Sequence, residues 1–594
     1  MRRAWTFVFL SAVVLLGVWG VACGGGGSGS NGTTFVPPPS QDASVDATMP
    51  PPISNDSGSI SLGDAPAPST ILILSPNDST LVVDAGGSAT TQFTAVFQGT
   101  TTPIAATWSV DRPLVGTIDN NGLFTASGSL GGVVTIAAQT ALAHGATTLT
   151  VQLHASRDPD DAGAALGGVL RDGGAADSKF RWLYPYDQTV FPRGLAAPTL
   201  QWDGEPATAL RVHVKSSTLD YEAFFGPSSP PRADFTADDW TMLTQSAAPG
   251  DPLVIEATKL SASGVTGPTT ETWTIAQGSL KGSVYYNTYD SPLNNGNGAV
   301  MRIRPGEDAT ILLGGCHVCH AVSANGSTLV AMGADEDPKP DAGYTGDDPY
   351  FYRQSASFDL GSDAGLIHDQ GDPSLGFGAL SPDGTRLLSC GSMAGDYPPN
   401  IPGFGNVGNP DGGSGDRASR LYDPRDGGVL KAPGFDGVVN HALMPAFSPD
   451  GTRVVFNHFD EGHGRSLAVM NFAAATNTFS NLVDLVDGSD AGADAGTPYL
   501  GWPYFLPDSQ SVVYNTVNVG DYATWNDYGN EAAHVGDLFL ADLATHTQTS
   551  LAAANGLDGG VPTLPYGTAE AHLNYEPTVL PVAVGGYYWV VFTS

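Results

Sequence analysis

One pattern recurs through the second half of the chain and limits what it can fold into. Ser323-Ala324-Asn325-Gly326-Ser327-Thr328-Leu329-Val330, Ser381-Pro382-Asp383-Gly384-Thr385-Arg386-Leu387-Leu388 and Ser448-Pro449-Asp450-Gly451-Thr452-Arg453-Val454-Val455 each read as a tight polar turn feeding an apolar strand. Leu506-Pro507-Asp508-Ser509-Gln510-Ser511-Val512-Val513 is a degenerate fourth copy, and Leu580 to Phe592 reads as a fifth. The anchors Ser323, Ser381, Ser448, Leu506 and Leu580 stand 58, 67, 58 and 74 residues apart, room for four strands and some inserted loop. A four-stranded sheet cannot bury both faces alone, so neighbouring copies must stack, and a ring of sheets is the physical solution. With 75 glycines and 44 prolines among 594 residues, of which 41% are hydrophobic, the composition favours short strands and turns over helical bundles.

The Ser-Pro-Asp-Gly hairpin resembles the repeats of TolB-type, or WD40-like, β-propellers, and the resemblance implies a propeller over residues 299–594. The last residues, Tyr587 to Ser594, read as an apolar strand, so either a blade is left unfinished there or the first-blade region supplies its closing strands. Ahead of the repeats, Thr70 to His154 alternates apolar and polar residues in short β-rich runs, which is sandwich patterning. Its residues Thr107-Trp108-Ser109-Val110, Val115-Gly116-Thr117-Ile118, Asn121-Gly122-Leu123-Phe124-Thr125-Ala126 and Val134-Thr135-Ile136-Ala137-Ala138 resemble a group 2 bacterial Ig-like domain. That resemblance implies a spacer or adhesive module over residues 69–154. Residues 155–178 read as a polar linker, and 179–298 as a second β-sandwich similar in pattern to fibronectin type III. The predicted fold class is therefore all-β, tandem β-sandwiches followed by a β-propeller.

Arg2 and Arg3, the apolar run Ala4 to Ala22, and Cys23 with Gly24 to Gly27 stand in the order of an export signal. Ala22 directly before Cys23 resembles a bacterial lipobox, which implies a signal peptide over residues 1–23 and diacylglycerol on the Cys23 thiol. Gly24 after the cysteine implies the outer membrane. A plain cleaved signal and an uncleaved anchor stay open. Residues 24–68 lack the apolar surface to fold and read as a tether. Asp-Ala-Gly runs at 161–163, 363–365, 490–492 and 494–496 read as solvated turn insertions, and calcium at Asp335, Glu336, Asp337, Asp347 and Asp348 lacks the spacing of a known loop. A formal net charge of −36 disfavours nucleic acid and anionic headgroups. Membrane contact is expected through the N-terminal lipid alone, and the propeller is expected to meet a protein or glycan partner.

Cysteine is scarce, at four residues, yet Cys316-His317-Val318-Cys319-His320 places two of them in a Cys-x-x-Cys-His motif. This is the attachment pattern of c-type haem: two thioethers hold the vinyl groups, and the histidine ligates iron. Under that reading Cys316 and Cys319 are anchors and His320 is the proximal ligand. A redox-active disulfide, or zinc bound with His317 or His320, remains open, and Cys390 reads as a buried small residue or a disulfide partner. Counting back from the hairpin anchors, Cys319, Phe377, Met444, Trp502 and Glu576 are equivalent, as are Cys316, His441 and Leu573. Equivalent positions on innermost strands converge near a propeller axis, which makes His441, Met444 and His572 candidate distal ligands, His441 first. No hydrolase, zincin, phosphate-loop or dinucleotide motif is present in the sequence, so an enzyme is not expected.

Overall fold

The computed structural model describes residues 70–314, 318–332, 355–362, 364–369, 378–389, 418–462, 464–487, 498–518, 535–558, 560–562 and 572–593. The chain is all-β, with a few short helices. In the first sandwich the period-two pattern does what it should: along Gly132–Gln139 buried residues alternate with half-buried ones, and Val134 and Ile136 are fully enclosed.

The strand Ala143–Arg157 belongs to both sandwiches. It runs antiparallel to Gly132–Gln139 and parallel to Ser79–Asp84 in the first. Its last residues then pair in parallel with Leu219–Phe225 of the second, from Leu153 opposite Leu219 to Arg157 opposite Ala223. One hydrophobic core follows from the shared sheet, and it runs without a break from Val83, Phe124 and Ile136 to Tyr221, Trp240 and Trp273. Arg157 Nε donates to Asp239 at 2.8 Å on the helix Ala237–Ser246, fixing the end of the strand.

Residues 155–178 are therefore not a linker in the structure. The shared strand continues to Arg157, and the helix Ala162–Asp172 follows, laying Leu170 against Phe224. Asp161, read as part of a turn insertion, is the N-cap residue. Asp158 accepts from the amides of Gly163 at 2.9 Å and Ala164 at 3.0 Å, satisfying N–H groups that the first helical turn leaves without partners. The boundary at residue 298 also moves. Gly264–Ser279 is the last strand of the sandwich, and Val284–Ser291, read as its continuation, pairs instead with Asn297–Ile303.

Among the described residues six sheets succeed one another from there, with the small hairpin Leu557–Asp558 and Val561–Pro562 between the fifth and the sixth. Sheet I is Val284–Ser291, Asn297–Ile303 and Thr310–Gly314. Sheet II is Val318–Val322, Thr328–Met332, Ser355–Asp359 and Gly365–Asp369. Sheet III is Ala379–Leu380, Leu387–Leu388, Leu421–Tyr422 and Val429–Leu430. Sheet IV is Ala442–Phe447, Arg453–His458, Leu467–Ala473 and Thr478–Val486. Sheet V is Tyr499–Phe505, Ser511–Asn518, Val535–Asp542 and Gln548–Ser550. Sheet VI comprises Tyr575–Val579 and Val590–Thr593 among the described residues. Within sheets II to V the strands lie in sequence order, each antiparallel to the next.

The paired apolar residues after each turn explain how the sheets stack. Successive side chains on a strand face opposite ways, so each pair fills two different interfaces. Leu329 packs toward sheet I and Val330 toward sheet III. Leu387 and Leu388 divide between sheets II and IV, and Val454 and Val455 between III and V. The first strands of sheets II to VI touch in order, and the turns touch too: Asn325 N–H donates to Pro382 O at 3.0 Å, and Arg453 donates to Ser509 O at 2.7 Å. Contacts of first strand to first strand and turn to turn describe a radial fan, a propeller whose turns crowd one end of the axis. Sheet VI closes back on the sandwiches at Gly278, where an added Cβ would stand 2.7 Å from Gly585 N.

Candidate functional site

Three of the turns build themselves in the same way. Ser381 Oγ donates to Asp383 Oδ1 at 2.6 Å, which also accepts from Thr385 N–H at 3.0 Å, while Arg386 N–H donates back to Ser381 Oγ at 3.0 Å. Ser448, Asp450, Thr452 and Arg453 repeat this, and Ser323 with Asn325 does so using an amide in place of the carboxylate. Asp383 and Asp450 serve their own turns. Burial raises their pKa, but the Ser and Thr hydrogen bonds outweigh it and hold both carboxylates below the usual range.

A second repeated feature sits mid-way along the first strands. Ladder register breaks between Leu443 and Ala446, between Gly501 and Tyr504, and between Tyr575 and Thr578. At each break a non-glycine residue is left-handed: Met444 at φ 46°, Trp502 at φ 49° and Glu576 at φ 53°. These bulges are followed by Pro445, Pro503 and Pro577. Proline has no N–H for the ladder and is admitted where a bulge interrupts it. Sheet II breaks register at the corresponding place, between Val318 and Ala321, and there the residues are Cys319 and His320. The histidine, partly buried, stands where three other sheets have proline. Cys316, His317, Phe377, Cys390 and Cys23 lie outside the described residues.

The candidate distal ligands lie within or just before the first strands of sheets IV and VI. His441, immediately before the first strand of sheet IV and 17% exposed in its side chain, directs Nδ1 to Asp460 Oδ1 at 2.5 Å. Asp460 Oδ2 also accepts from the amides of Asn440 at 2.6 Å and His441 at 3.0 Å. Burial pushes the Asp460 pKa up, but the His441 imidazole and these amides together hold it below the usual carboxylate range. His572 Nδ1 lies 2.8 and 3.0 Å from the two oxygens of Asp537. Met444 is buried at the bulge, 4% exposed. Sequence reasoning named the histidines but missed Asp460 and Asp537. Nothing in a string of residues marks carboxylates so far along the chain as their partners.

Histidines that ligate metals commonly give their other ring nitrogen to a carboxylate, which fixes the tautomer and the ring orientation. The Nδ1 contacts of His441 to Asp460 and of His572 to Asp537 are of this kind. Among the described residues no group of three His, Cys, Asp or Glu side chains is placed to hold a bare metal ion. None of their helices is long and apolar enough to cross a membrane.

No protein-family model matches the chain, and no curated protein sequence does. Among solved structures it is similar to hydrazine synthase from Kuenenia stuttgartiensis, at 10% identity and a TM-score of 0.23 over 43% of this chain, spanning 59% of that one. A TolB protein from Agrobacterium tumefaciens is 14% identical, with a TM-score of 0.22 over 59% of this chain and 89% of its own. A puromycin-hydrolysing peptidase from Mycobacterium tuberculosis is 13% identical, with a TM-score of 0.24 over 46% of this chain and 38% of its own.

Proposed function

We propose that the chain is a lipid-anchored cell-envelope protein whose sandwiches hold out an interaction propeller, with a c-type haem attached at the first repeat for electron transfer or redox sensing. The supporting observation is the place of Cys319 and His320 in the repeat. Three first strands put a left-handed residue and a proline at the bulge, and sheet II puts half of a Cys-x-x-Cys-His motif there. A structural requirement met elsewhere by proline does not account for histidine. In this reading Cys316 and Cys319 hold the haem, His320 is its proximal ligand, and His441, His572 or Met444 supplies the distal one. The haem would supply a one-electron couple, and the chain's part is to fix the imidazoles and keep water from the iron. Lipid on Cys23 and a protein or glycan partner at the fan belong to the same reading.

Protein matured in a strain able to attach haem is expected to give c-type bands in a pyridine haemochrome spectrum, and the Cys316→Ser/Cys319→Ser variant none. His320→Pro separates architecture from chemistry. It restores the residue of the other bulges, so stability should stay within about 1 kcal/mol while axial ligation is lost. Wild-type protein without the bands would remove haem from the account. One observation favours a second reading, an adhesion protein with Cys316 and Cys319 oxidised: the motif enters a strand, Val318–Val322, where cytochromes c place a helix. Thiol titration with mass spectrometry distinguishes the two.

A further inference from the structure

Where the second sandwich, sheet I and the hairpin of sheet VI meet, the described residues enclose a cleft of about 220 Å³. Its walls include Tyr184, Tyr186, Phe191 and Trp589. These rings are held in place from behind. Tyr184 and Tyr186 meet edge to face at 6.0 Å and 86°. Phe191 is wedged against Trp240 at 5.1 Å and Trp273 at 5.6 Å, and Trp589 Nε1 donates to Val584 O at 3.1 Å. An aromatic surface that is already rigid loses little entropy when it meets a ligand.

The charge of the cleft runs against that of the chain. Sixty acidic and 24 basic residues make the protein strongly anionic, yet among the described residues the wall contains Lys281 and Arg304 and no carboxylate. Arg304 leans on Glu307 at 3.3 Å, whereas Lys281 is exposed and has no ion-pair partner among the described residues. A cavity of roughly 150 Å³ accommodates benzene, so this one has room for a single ring and a short arm. Sites of this composition, mostly apolar with one or two convergent charges, lie preferentially at junctions between units.

We propose that this cleft binds a small aromatic carboxylate, its ring among Tyr184, Tyr186, Phe191 and Trp589 and its carboxylate toward Lys281. The proposal is independent of haem.

Calorimetric titration of the full chain with phenylacetate, benzyl alcohol and phenethylamine tests it. Phenylacetate should bind with a dissociation constant below roughly 1 mM, benzyl alcohol about tenfold more weakly, and the cationic amine not measurably. Lys281→Gln, at an exposed position, should leave the melting temperature unchanged and reduce phenylacetate to the level of benzyl alcohol. Val590→Trp should fill the cleft and abolish both. If that variant does not fold, Lys281→Gln and the three probes decide by themselves. Equal affinity for all three, indifference to Lys281→Gln, or no heat with any probe at about 10 mM would each overturn the assignment.

Discussion

Replacing Glu271 with glutamine should stabilise the sandwiches at pH 9 by roughly 4 kcal/mol and change them little at pH 4. Glu271 lies opposite Ile255 in the sheet, 7% exposed, with Trp273 Nε1 at 3.4 Å. Burial pushes its pKa up to about 8, against an ordinary 4.5. The Trp273 hydrogen bond opposes the rise, and the charge of Asp187 adds to it. A folded-state pKa above the unfolded one means that the folded protein holds the proton longer. Stability is full below pH 4.5 and is lost as the pH climbs to about 8, because the unfolded chain ionises first. Glutamine has no proton to lose, so the gap between variant and wild type should open across that window. Urea unfolding at several pH values, followed by tryptophan fluorescence, measures it. A gap that stays flat from pH 5 to 9 would show that the carboxyl is not held neutral.

The second large effect is expected at Asp177. Lys259 is 1% exposed and surrounded by three groups: Asp177 Oδ2 at 2.9 Å, Glu205 O at 3.0 Å and the Phe180 ring at 5.2 Å. The Asp177 side chain is itself mostly covered, and the Lys259 ammonium holds its carboxyl below the usual range. Asp177→Asn leaves an ammonium in the interior without its counter-charge, which costs about 3–5 kcal/mol when one member of a buried pair is removed. Asp177→Leu/Lys259→Met removes both charges and should recover most of that loss. The melting temperatures of the single and double variants form a cycle in which the coupling is read directly. Additive losses would mean that the pair contributes nothing to holding residues 177–180 on the sheet.

How much of this was legible in the sequence depends on the range over which each signal acts. The turns were legible because Ser, Asp and Gly act on residues two to five places away, as the Ser381 and Asp383 hydrogen bonds do. Stacking was legible from the apolar pairs such as Val454-Val455, which only a sheet covered on both faces demands. The merged sandwiches were not. The pairing of Leu153 with Leu219 joins residues with the same alternation as any separate strand, so the pattern does not reveal whose partner they are. The helix Ala162–Asp172 was hidden because Asp-Ala-Gly is turn chemistry, and the carboxylate that takes up its first amides, Asp158, stands three residues before that run. At the candidate site, the equivalence of Cys319, Met444, Trp502 and Glu576 came from counting. The left-handed backbone of Met444, Trp502 and Glu576 did not, since none of these is a residue type that favours it.

The strand Ala143–Arg157 has a mechanical consequence. Two sandwiches can articulate only if some of the chain between them is free of ladder bonds, and here the last rungs of one sheet lead directly into the first rungs of the next. The pair is thus a single lever arm. A pull applied near Thr70 is passed on as shear along parallel hydrogen bonds, and its far end bears on the close backbone contact between Gly278 and Gly585. A tilt of the N-terminal sandwich is thereby carried as far as the place where the sheet VI hairpin meets the second sandwich.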